Sequence, residues 1–367
     1  WQMANDTLAV FYRLRLLKYY AKCLVPNRLD HDPLVSIVIA CPKGSWMLDE
    51  CLKAIEKQTY RNYEVIVLPD EVTGKVRPAE KRNLGIRKAK GEIIAFIDDD
   101  AYPDEHWLEY AVKYFGEPSI GAVGGPGVTP PGDSKLAKIS GRVYDNILVS
   151  GNYRYRYRAG GVRMDCEDYP SCNLFVRKDL LEKIGGYRTD FWPGEDTLLC
   201  KDIIDNWKRI IYDPWIIVYH HRRPIFGAHL RQLARYGFHR GYFCKRYPSN
   251  SLKFSYFIPT MLVGYLLSWF ILLAIPEPAV MDAWLYVAWK AYISIPMLAY
   301  LGSVLLTTFC LNPLTWLLTA AGVVASHVTY GVQFLRGLMA RQAPCEFIGA
   351  DHGSACNIDN RKSKIET

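Results

Sequence analysis

Asp98-Asp99-Asp100 follow an apolar run, Glu92-Ile93-Ile94-Ala95-Phe96-Ile97. Ile93 to Ile97 reads as a strand buried on both faces, the kind found inside a parallel sheet. Open α/β sheets place ligands beyond the carboxyl ends of their strands. Three like charges at that place repel one another and are costly to desolvate. A divalent cation with an anionic ligand, such as a nucleotide diphosphate, satisfies them. On the triplet alone, a charged and solvated strand-to-loop turn is the alternative.

Other polar groups fall at the ends of predicted elements: Asp70, Glu195-Asp196 and His220-His221, with Arg82 on a basic helix. If they converge, they make a metal-binding edge, a spare carboxylate and a cation for a phosphate. Displacement of a nucleoside diphosphate needs that set. Metal and Arg stabilise the leaving diphosphate, and the spare carboxylate deprotonates an attacking hydroxyl.

The elements that must position these groups follow from the apolar pattern. Leu34–Ala40 reads as a buried strand bounded by Pro33 and Pro42, and Met47–Gln58 as a helix with Leu48, Cys51, Leu52 and Ile55 on one face. Tyr63–Leu68 is a second strand, Ala79–Lys90 a basic helix stopped by Gly91, and Ile93–Ile97 the third strand. This β-α-β-α-β order predicts a doubly wound nucleotide-binding half. A helix over about Asp104–Phe115 and a short strand Ile120–Gly124 come next, followed by Gly/Pro-rich loops. Tyr153–Arg158 alternates Tyr and Arg and predicts a strand with one aromatic and one basic face, either contacting phosphates or headgroups or lying solvated at an edge. Ser171–Arg177, a helix from Lys178, a helix from Glu195 to about Trp207 and a strand region Ile210–Tyr219 complete the domain.

Charge is unevenly spread along the 367 residues. From Phe254 to Leu335 only Glu277, Asp282 and Lys290 are charged. Phe254–Ile275, about Trp284–Cys310, and Pro313–Leu335 each reach the ~20 residues that a bilayer core requires. Buried helices of a large soluble core are the alternative. Lys245, Arg246 and Lys253 precede the first stretch, and the positive-inside rule puts the preceding domain on the cytoplasmic face of an integral membrane protein. Three full spans would leave Arg336 and Arg341 on the wrong side, so either the middle stretch is irregular or the last lies along the interface. Leu8–Val25 combines Phe11, Leu14, Leu17 and Tyr20 with Arg13, Arg15, Lys18 and Lys22. It reads as a basic amphipathic helix on an anionic membrane surface, or else as an ordinary surface helix. The net charge of +8 fits contact with membrane lipids and gives no separate case for nucleic acid. Ten cysteines without a paired CxxC pattern read as reduced thiols. The organisation expected is a surface helix over 1–30, an α/β catalytic domain over 31–225, amphipathic interface helices over 226–253, transmembrane helices over 254–340 and a polar tail over 341–367.

Taken in order, these motifs resemble the family 2 glycosyltransferases, which have the nucleotide-sugar-binding GT-A fold. Gln58-Thr59-Tyr60, the strand ending at Asp70, and Lys81-Arg82-Asn83-Leu84-Gly85-Ile86, close to the family's Arg-Asn-x-Gly element, come first. Asp98 and Asp100 form a DxD motif, and Ser171–Arg177 with Ile184-Gly185-Gly186-Tyr187 precede Gly194-Glu195-Asp196. The resemblance covers roughly residues 33–245. It implies that Ala40, at the end of the first strand, lines the nucleotide sugar, that Asp70 binds the nucleobase and that Arg82 assists there or at the phosphates. It implies that Asp98 and Asp99 contact ribose or uracil-side groups and that Asp100, with Asp98, holds Mg²⁺ or Mn²⁺. Asp196 would be the general base and Glu195 would position the acceptor. Some members use a histidine about 24 residues beyond the base as a metal ligand, here His220, with His221 as the near alternative.

Gln232-Leu233-Ala234-Arg235-Tyr236 resembles the QxxRW motif of membrane-embedded polysaccharide synthases, with Tyr236 in place of Trp. This implies Arg235 on the diphosphate and Gln232 and Tyr236 toward the acceptor sugar, unless Gly227–Arg246 is simply an amphipathic interface helix. Trp192 would line the acceptor site or serve as a core aromatic. The reading that results is a membrane-bound, inverting enzyme. It moves one sugar from a nucleotide diphosphate sugar to a lipid-linked, polyprenyl-type glycan or lipid phosphate. Its rivals are a processive polysaccharide synthase, a nucleotidyltransferase that would release pyrophosphate, and a membrane scaffold with a degenerate nucleotide-sugar fold.

Overall fold

A computed structural model describes residues 31–276 and 282–341. The expected helix over Leu8–Val25 and the tail with Cys345 and Cys356 lie outside the described residues. Strand β1 (Val35–Ala40) is followed by α1 (Trp46–Glu56), β2 (Tyr63–Leu68), α2 (Pro78–Lys88) and β3 (Ile93–Asp98). β1 pairs in parallel with both β2 and β3, so the doubly wound half is present. Ser45 starts α1 by accepting a hydrogen bond from the Leu48 amide at 3.2 Å.

The sheet grows to seven strands, in the order β2-β1-β3-β8-β5-β9-β7, through β5 (Ile120–Gly124), β7 (Met164–Cys166), β8 (Asn173–Arg177) and β9 (Arg209–Tyr212). β8 runs antiparallel between β3 and β5, making the sheet mixed. A second, three-stranded sheet of β4 (Ala101–Pro103), β10 (Val218–His220) and β6 (Gly127–Val128) sits at the carboxyl end of β3, with β10 in the middle.

Strand alternation divides the core into two layers. Val35, Ile37, Ile39, Ile93 and Ile97 pack on Leu48, Cys51 and Ile55 of α1 and on Trp107, while Val38, Ile94 and Phe96 pack on Ala79 and Ile86 of α2. Each such side chain contributes about 1.5–3 kcal/mol by leaving water. The Arg82-Asn83-x-Gly85 element has a structural reason. A Cβ on Gly85 would lie 2.4 Å from Val38 Cγ1, so only glycine lets α2 lie directly on β1. The Asn83 side chain donates to the Tyr187 carbonyl and accepts from the Tyr187 amide, both at 2.8 Å, tying α2 to the Gly185-Gly186 turn.

Three segments differ from expectation. Tyr153–Arg158 is not a strand: Gly151–Arg156 forms a 3₁₀ helix. A strand would send Tyr and Arg to opposite faces. Instead the Arg156 guanidinium turns inward and stacks over Tyr153, 4.6 Å from its centroid, and over Tyr155 and Tyr169. The region Ile210–Tyr219 is two strands in different sheets, β9 and β10, broken at Asp213, Pro214 and Trp215. Asp104–Phe115 shortens to a helix over Trp107–Val112 that tightens into 3₁₀ geometry over Lys113–Gly116.

After α3 (Lys135–Tyr144) and α4 (Glu195–Asp205) comes the long α5 (Gly227–Arg246), with the limits the pattern predicts. It is followed by α6 (Ile258–Ala274), α7 (Ala283–Thr308) and α8 (Pro313–Met339). α7 and α8, at 26 and 27 residues, are long and apolar enough to cross a membrane, while α6 has 17. α8 also packs against helices of the α/β region. It packs along α5 so closely that a Cβ on Gly337 would stand 1.9 Å from the Phe238 carbonyl oxygen, and it touches α3 as well.

Candidate active site

The carboxylate triplet is placed by two pairings. Asp98 is the last residue of β3, in register with Ala40 of β1, so Ala40 lies beside the triplet. The chain turns at Asp99 and Asp100 and enters β4, whose Ala101 is in register with His220 of β10. The His221 amide donates to the Asp100 carbonyl at 2.9 Å, and His220 Nε2 lies 3.1 Å from Asp100 Oδ1. Ligand atoms of Asp98, Asp100 and His220 all lie within 4.8 Å of one another. Two carboxylates and an imidazole fit a six-coordinate Mn²⁺ well and Mg²⁺ less well, because Mg²⁺ prefers oxygen.

The carboxylates of this group act on one another and on His220. Burial, with Asp100 and Asp98 alongside, pushes Asp99 up to about 7. Burial pulls His220 down, but the Asp100 carboxylate and its hydrogen bond outweigh it and push the ring up to about 10. Burial likewise pushes Asp100 up, yet His220, Arg223 and Arg222 hold it below the usual carboxylate range. His221 does not join this group. Its Nδ1 lies 2.6 Å from Asp133 and its Nε2 2.9 Å from Glu50, and Trp46 packs edge-on against its ring.

Arg82, buried on α2, connects the triplet to the Glu195-Asp196 pair. Its Nη2 donates to Asp98 Oδ1 at 2.8 Å and its Nη1 to Glu195 Oε1 at 3.0 Å. Glu195 and Asp196 occupy the first turn of α4, where the helix N-terminus favours negative charge. The Glu195 carboxylate thus faces Arg82. Asp196 Oδ1 accepts from the Thr197 amide at 2.8 Å. Burial first, then the charges of Glu195 and Asp168, push Asp196 up to about 7, which suits a group that takes a proton near neutrality. Asp70 is held by Lys81 at 2.5 Å, and Lys81, itself buried, also donates to the Cys41 carbonyl.

On α5, Gln232 Nε2 donates to the Tyr236 hydroxyl at 2.9 Å, and the Tyr144 hydroxyl reaches Gln232 Oε1 at 3.4 Å. Gln232 and Tyr236 line a cavity of about 80 Å³ that also touches Asp100 and His220. Arg235 and Trp192 are not among its lining residues; the Arg235 guanidinium stands 5.6 Å from the Trp192 ring centroid.

Sequence reasoning passed over Lys81 and Asp168. Asp168 is buried and accepts from Thr197 Oγ1 and from Arg240 Nη2, both at 3.1 Å, with Arg156 at 3.8 Å. It joins α5 to the residue that follows Asp196. No motif marks it; the basic residues awaiting a partner at positions 156 and 240 were the only signal.

Residues 72–185 match the family model described as Glycosyl transferase family 2, a segment that holds Arg82 and the triplet and ends before Glu195. Glycosyltransferase AglE of Haloferax volcanii is 26% identical over 246 residues, covering 56% of this chain and 72% of the relative. A Methanococcus voltae protein named dolichyl N-acetyl-alpha-D-glucosaminyl phosphate 3-beta-D-2,3-diacetamido-2,3-dideoxy-beta-D-glucuronosyltransferase is 22% identical, covering 56% of this chain and 73% of the relative. The pre-mycofactocin glycosyltransferase of Mycobacterium tuberculosis is 25% identical over 176 residues, 47% of this chain and 36% of the relative. Among solved structures, the mannosyltransferase PcManGT from Pyrobaculum calidifontis, in complex with GDP-Man and Mn²⁺, superposes with a TM-score of 0.56 at 18% identity, over 91% of this chain and 96% of that one. That likeness concerns the architecture: a mixed sheet followed by apolar helices. Residues 72–185 thus match a glycosyl transferase family 2 domain, the named relatives are glycosyltransferases, and the architecture is that of the GT-A fold.

Proposed function

We propose that the protein is a membrane-bound, inverting glycosyltransferase that moves a single sugar from a nucleotide diphosphate sugar to a lipid-linked acceptor, a polyprenyl-type glycan or lipid phosphate. The observation that carries this reading is the Arg82 bridge. It ties the Asp98 end of a nucleotide-binding strand to the helix turn bearing Asp196. A donor edge and a raised carboxylate on either side of one guanidinium suit direct displacement at a sugar carbon.

In this reading Ala40, Asp70, Asp98 and Asp99 orient the nucleotide. Mn²⁺ or Mg²⁺ held by Asp98, Asp100 and His220 would neutralise charge on the departing diphosphate. The acceptor oxygen bonds to the anomeric carbon from the face opposite the diphosphate, whose C–O bond breaks, so configuration inverts. Asp196 receives the acceptor's hydroxyl proton, or orients an acceptor phosphate that is already anionic. Glu195, held by Arg82, positions the acceptor, and its charge helps keep Asp196 raised. Tyr236, where processive synthases carry Trp, favours one transfer over polymerisation.

The apolar α7 and α8 would anchor the domain at a bilayer, and the basic run Lys245, Arg246 and Lys253 favours the cytoplasmic face. The relatives' names fit a lipid-linked acceptor, since the Methanococcus voltae protein's name specifies a dolichyl phosphate sugar. The test is a panel of nucleotide sugars with Mn²⁺ or Mg²⁺ and extracted polyprenyl-linked acceptors, read by mass. One added hexose-type residue and released nucleoside diphosphate are the expected products. Long polymers, or released pyrophosphate, would overturn the proposal.

A further inference from the structure

Asp196 and Asp168 hold the same residue from two sides. Thr197 donates its amide to Asp196 Oδ1 at 2.8 Å and its hydroxyl to Asp168 Oδ1 at 3.1 Å. The carboxylate proposed as the base is thus tied to the backbone of Thr197, and Thr197 is tied in turn to a second, buried carboxylate between β7 and β8.

What holds Asp168 comes from the side of the apolar helices. Arg240 of α5 donates to its Oδ2 at 3.1 Å, and Arg156 donates to its carbonyl oxygen. The Arg240 guanidinium also stands 4.8 Å from the ring centroid of Tyr256, just ahead of α6. α5 is pressed against α8, where a Cβ on Gly241 would lie 2.1 Å from the Phe334 carbonyl oxygen. The same helix closes on the start of α4. A Cβ on Gly194 would lie 2.5 Å from Phe243 Cε2, and Phe243 packs with Leu198. Residues three apart share a helix face. One face of α5 therefore meets α4 twice, through Phe243 on Gly194 and through Arg240, Asp168 and Thr197.

The charges bear on the base as well. Burial pushes Asp168 up, yet Arg240, Arg156 and the Thr197 hydrogen bond hold it below the usual carboxylate range, so it is an anion at neutral pH. The groups that act on Asp196 are Glu195 and Cys200 of its own helix, Arg82 of α2, Tyr187, Tyr236 of α5, and Asp168. Burial raises the thiol and both phenols, which therefore stay neutral. Glu195 is paired with Arg82 at 3.0 Å. Asp168 adds its negative charge to that of Glu195, and like charges nearby favour the protonated form of Asp196.

We infer that Asp168 is a positioning residue for sugar transfer: by joining Thr197 to Arg240 it holds the Asp196 carboxylate in a fixed place relative to α5, the helix that also carries Gln232 and Tyr236. The inference rests on the base role proposed for Asp196 and adds the residue through which the apolar helices seat that base.

The full chain in detergent is compared with two variants. Asp168→Asn should move the midpoint of the acceptor kcat/KM profile down from near 7 by about one pH unit and lower the plateau kcat about tenfold, with Mn²⁺-dependent nucleoside diphosphate binding within about twofold of wild type. That change leaves two guanidiniums without their anion, which can cost the fold, so Thr197→Val is the milder variant. It keeps the amide that serves Asp196 and removes only the hydroxyl. Thr197→Val should lower kcat about tenfold at unchanged donor and acceptor KM, and Thr197→Ser should restore it. Lower thermal stability in both variants with wild-type kcat and an unmoved pH midpoint would make Asp168 purely structural and overturn the inference. Infrared difference spectroscopy against pH, following the carboxyl band lost in Asp196→Asn, reads the base without turnover. If lipid acceptors take no sugar but that band titrates lower in Asp168→Asn, the positioning stands and the proposed reaction falls. If transfer proceeds with Asp196 essential and neither variant moves kcat, the midpoint or the band, the positioning falls and the reaction stands.

Discussion

Arg82 and Glu195 form a buried ion pair, 3.0 Å apart, across 113 residues of sequence. Neither group stands alone in it. Arg82 also holds Asp98, and Glu195 begins the helix turn that presents Asp196. The fold thus fixes the distance between a donor-side carboxylate and the proposed base through one side chain on α2.

Removing that side chain leaves the buried Glu195 carboxylate and the half-buried Asp98 carboxylate without their shared cation. Arg82→Met is expected to destabilise the protein by about 3 kcal/mol, the usual order when one partner of a buried pair is lost. Arg82→Lys keeps the charge but not both hydrogen bonds and should fall between. Thermal unfolding of the three proteins in the same detergent measures this. An unchanged midpoint for Arg82→Met would show that the bridge carries no stability.

The pH dependence follows from Asp196. A base must be ionised to take a proton, and burial with Glu195 and Asp168 alongside pushes Asp196 up to about 7. Acceptor kcat/KM should therefore rise with pH, reach half its plateau near 7 and drop about tenfold per unit below that. An exposed aspartate would titrate near 3.9 and leave the profile flat over this range. A flat profile between about pH 5 and 8 would remove Asp196 from the role.

His220 supplies the one nitrogen among the three ligand candidates. His220→Ala should weaken Mn²⁺-dependent binding of the nucleoside diphosphate by about 10- to 100-fold, with less effect on metal-free binding. His220→Asp, which makes the set all oxygen, should narrow the preference for Mn²⁺ over Mg²⁺. Calorimetry with each metal reads both effects. Equal Mn²⁺ affinity in the wild type and His220→Ala would take the histidine out of the site.

What was legible in the sequence, and what was not, has a physical pattern. β1, β2 and β3 are apolar runs closed by Pro or Asp and alternate with helices, so the half of the sheet that ends in the triplet could be read directly. The amphipathic helix weighed over Gly227–Arg246 is present with those limits as α5. The Tyr/Arg alternation at 153–158 misled because period-two patterning reports a strand only when one face meets water. Here Arg156 is drawn inside by Asp168 and the surrounding rings. Asp168 was illegible for the same reason: its partners, Thr197 and Arg240, lie far along the chain and meet it only after folding. His221 resembled His220 in sequence, and only the side chains of Glu50 and Asp133 on either side distinguish them.

The most direct test of the account is Asp196→Asn, a change of one oxygen in a buried side chain. Nucleoside diphosphate binding in the presence of Mn²⁺ should stay within about twofold of wild type, and sugar transfer to the lipid-linked acceptor should fall by about 10²–10⁴, the contribution of a positioned general base. Transfer at the wild-type rate in Asp196→Asn would contradict the central claim.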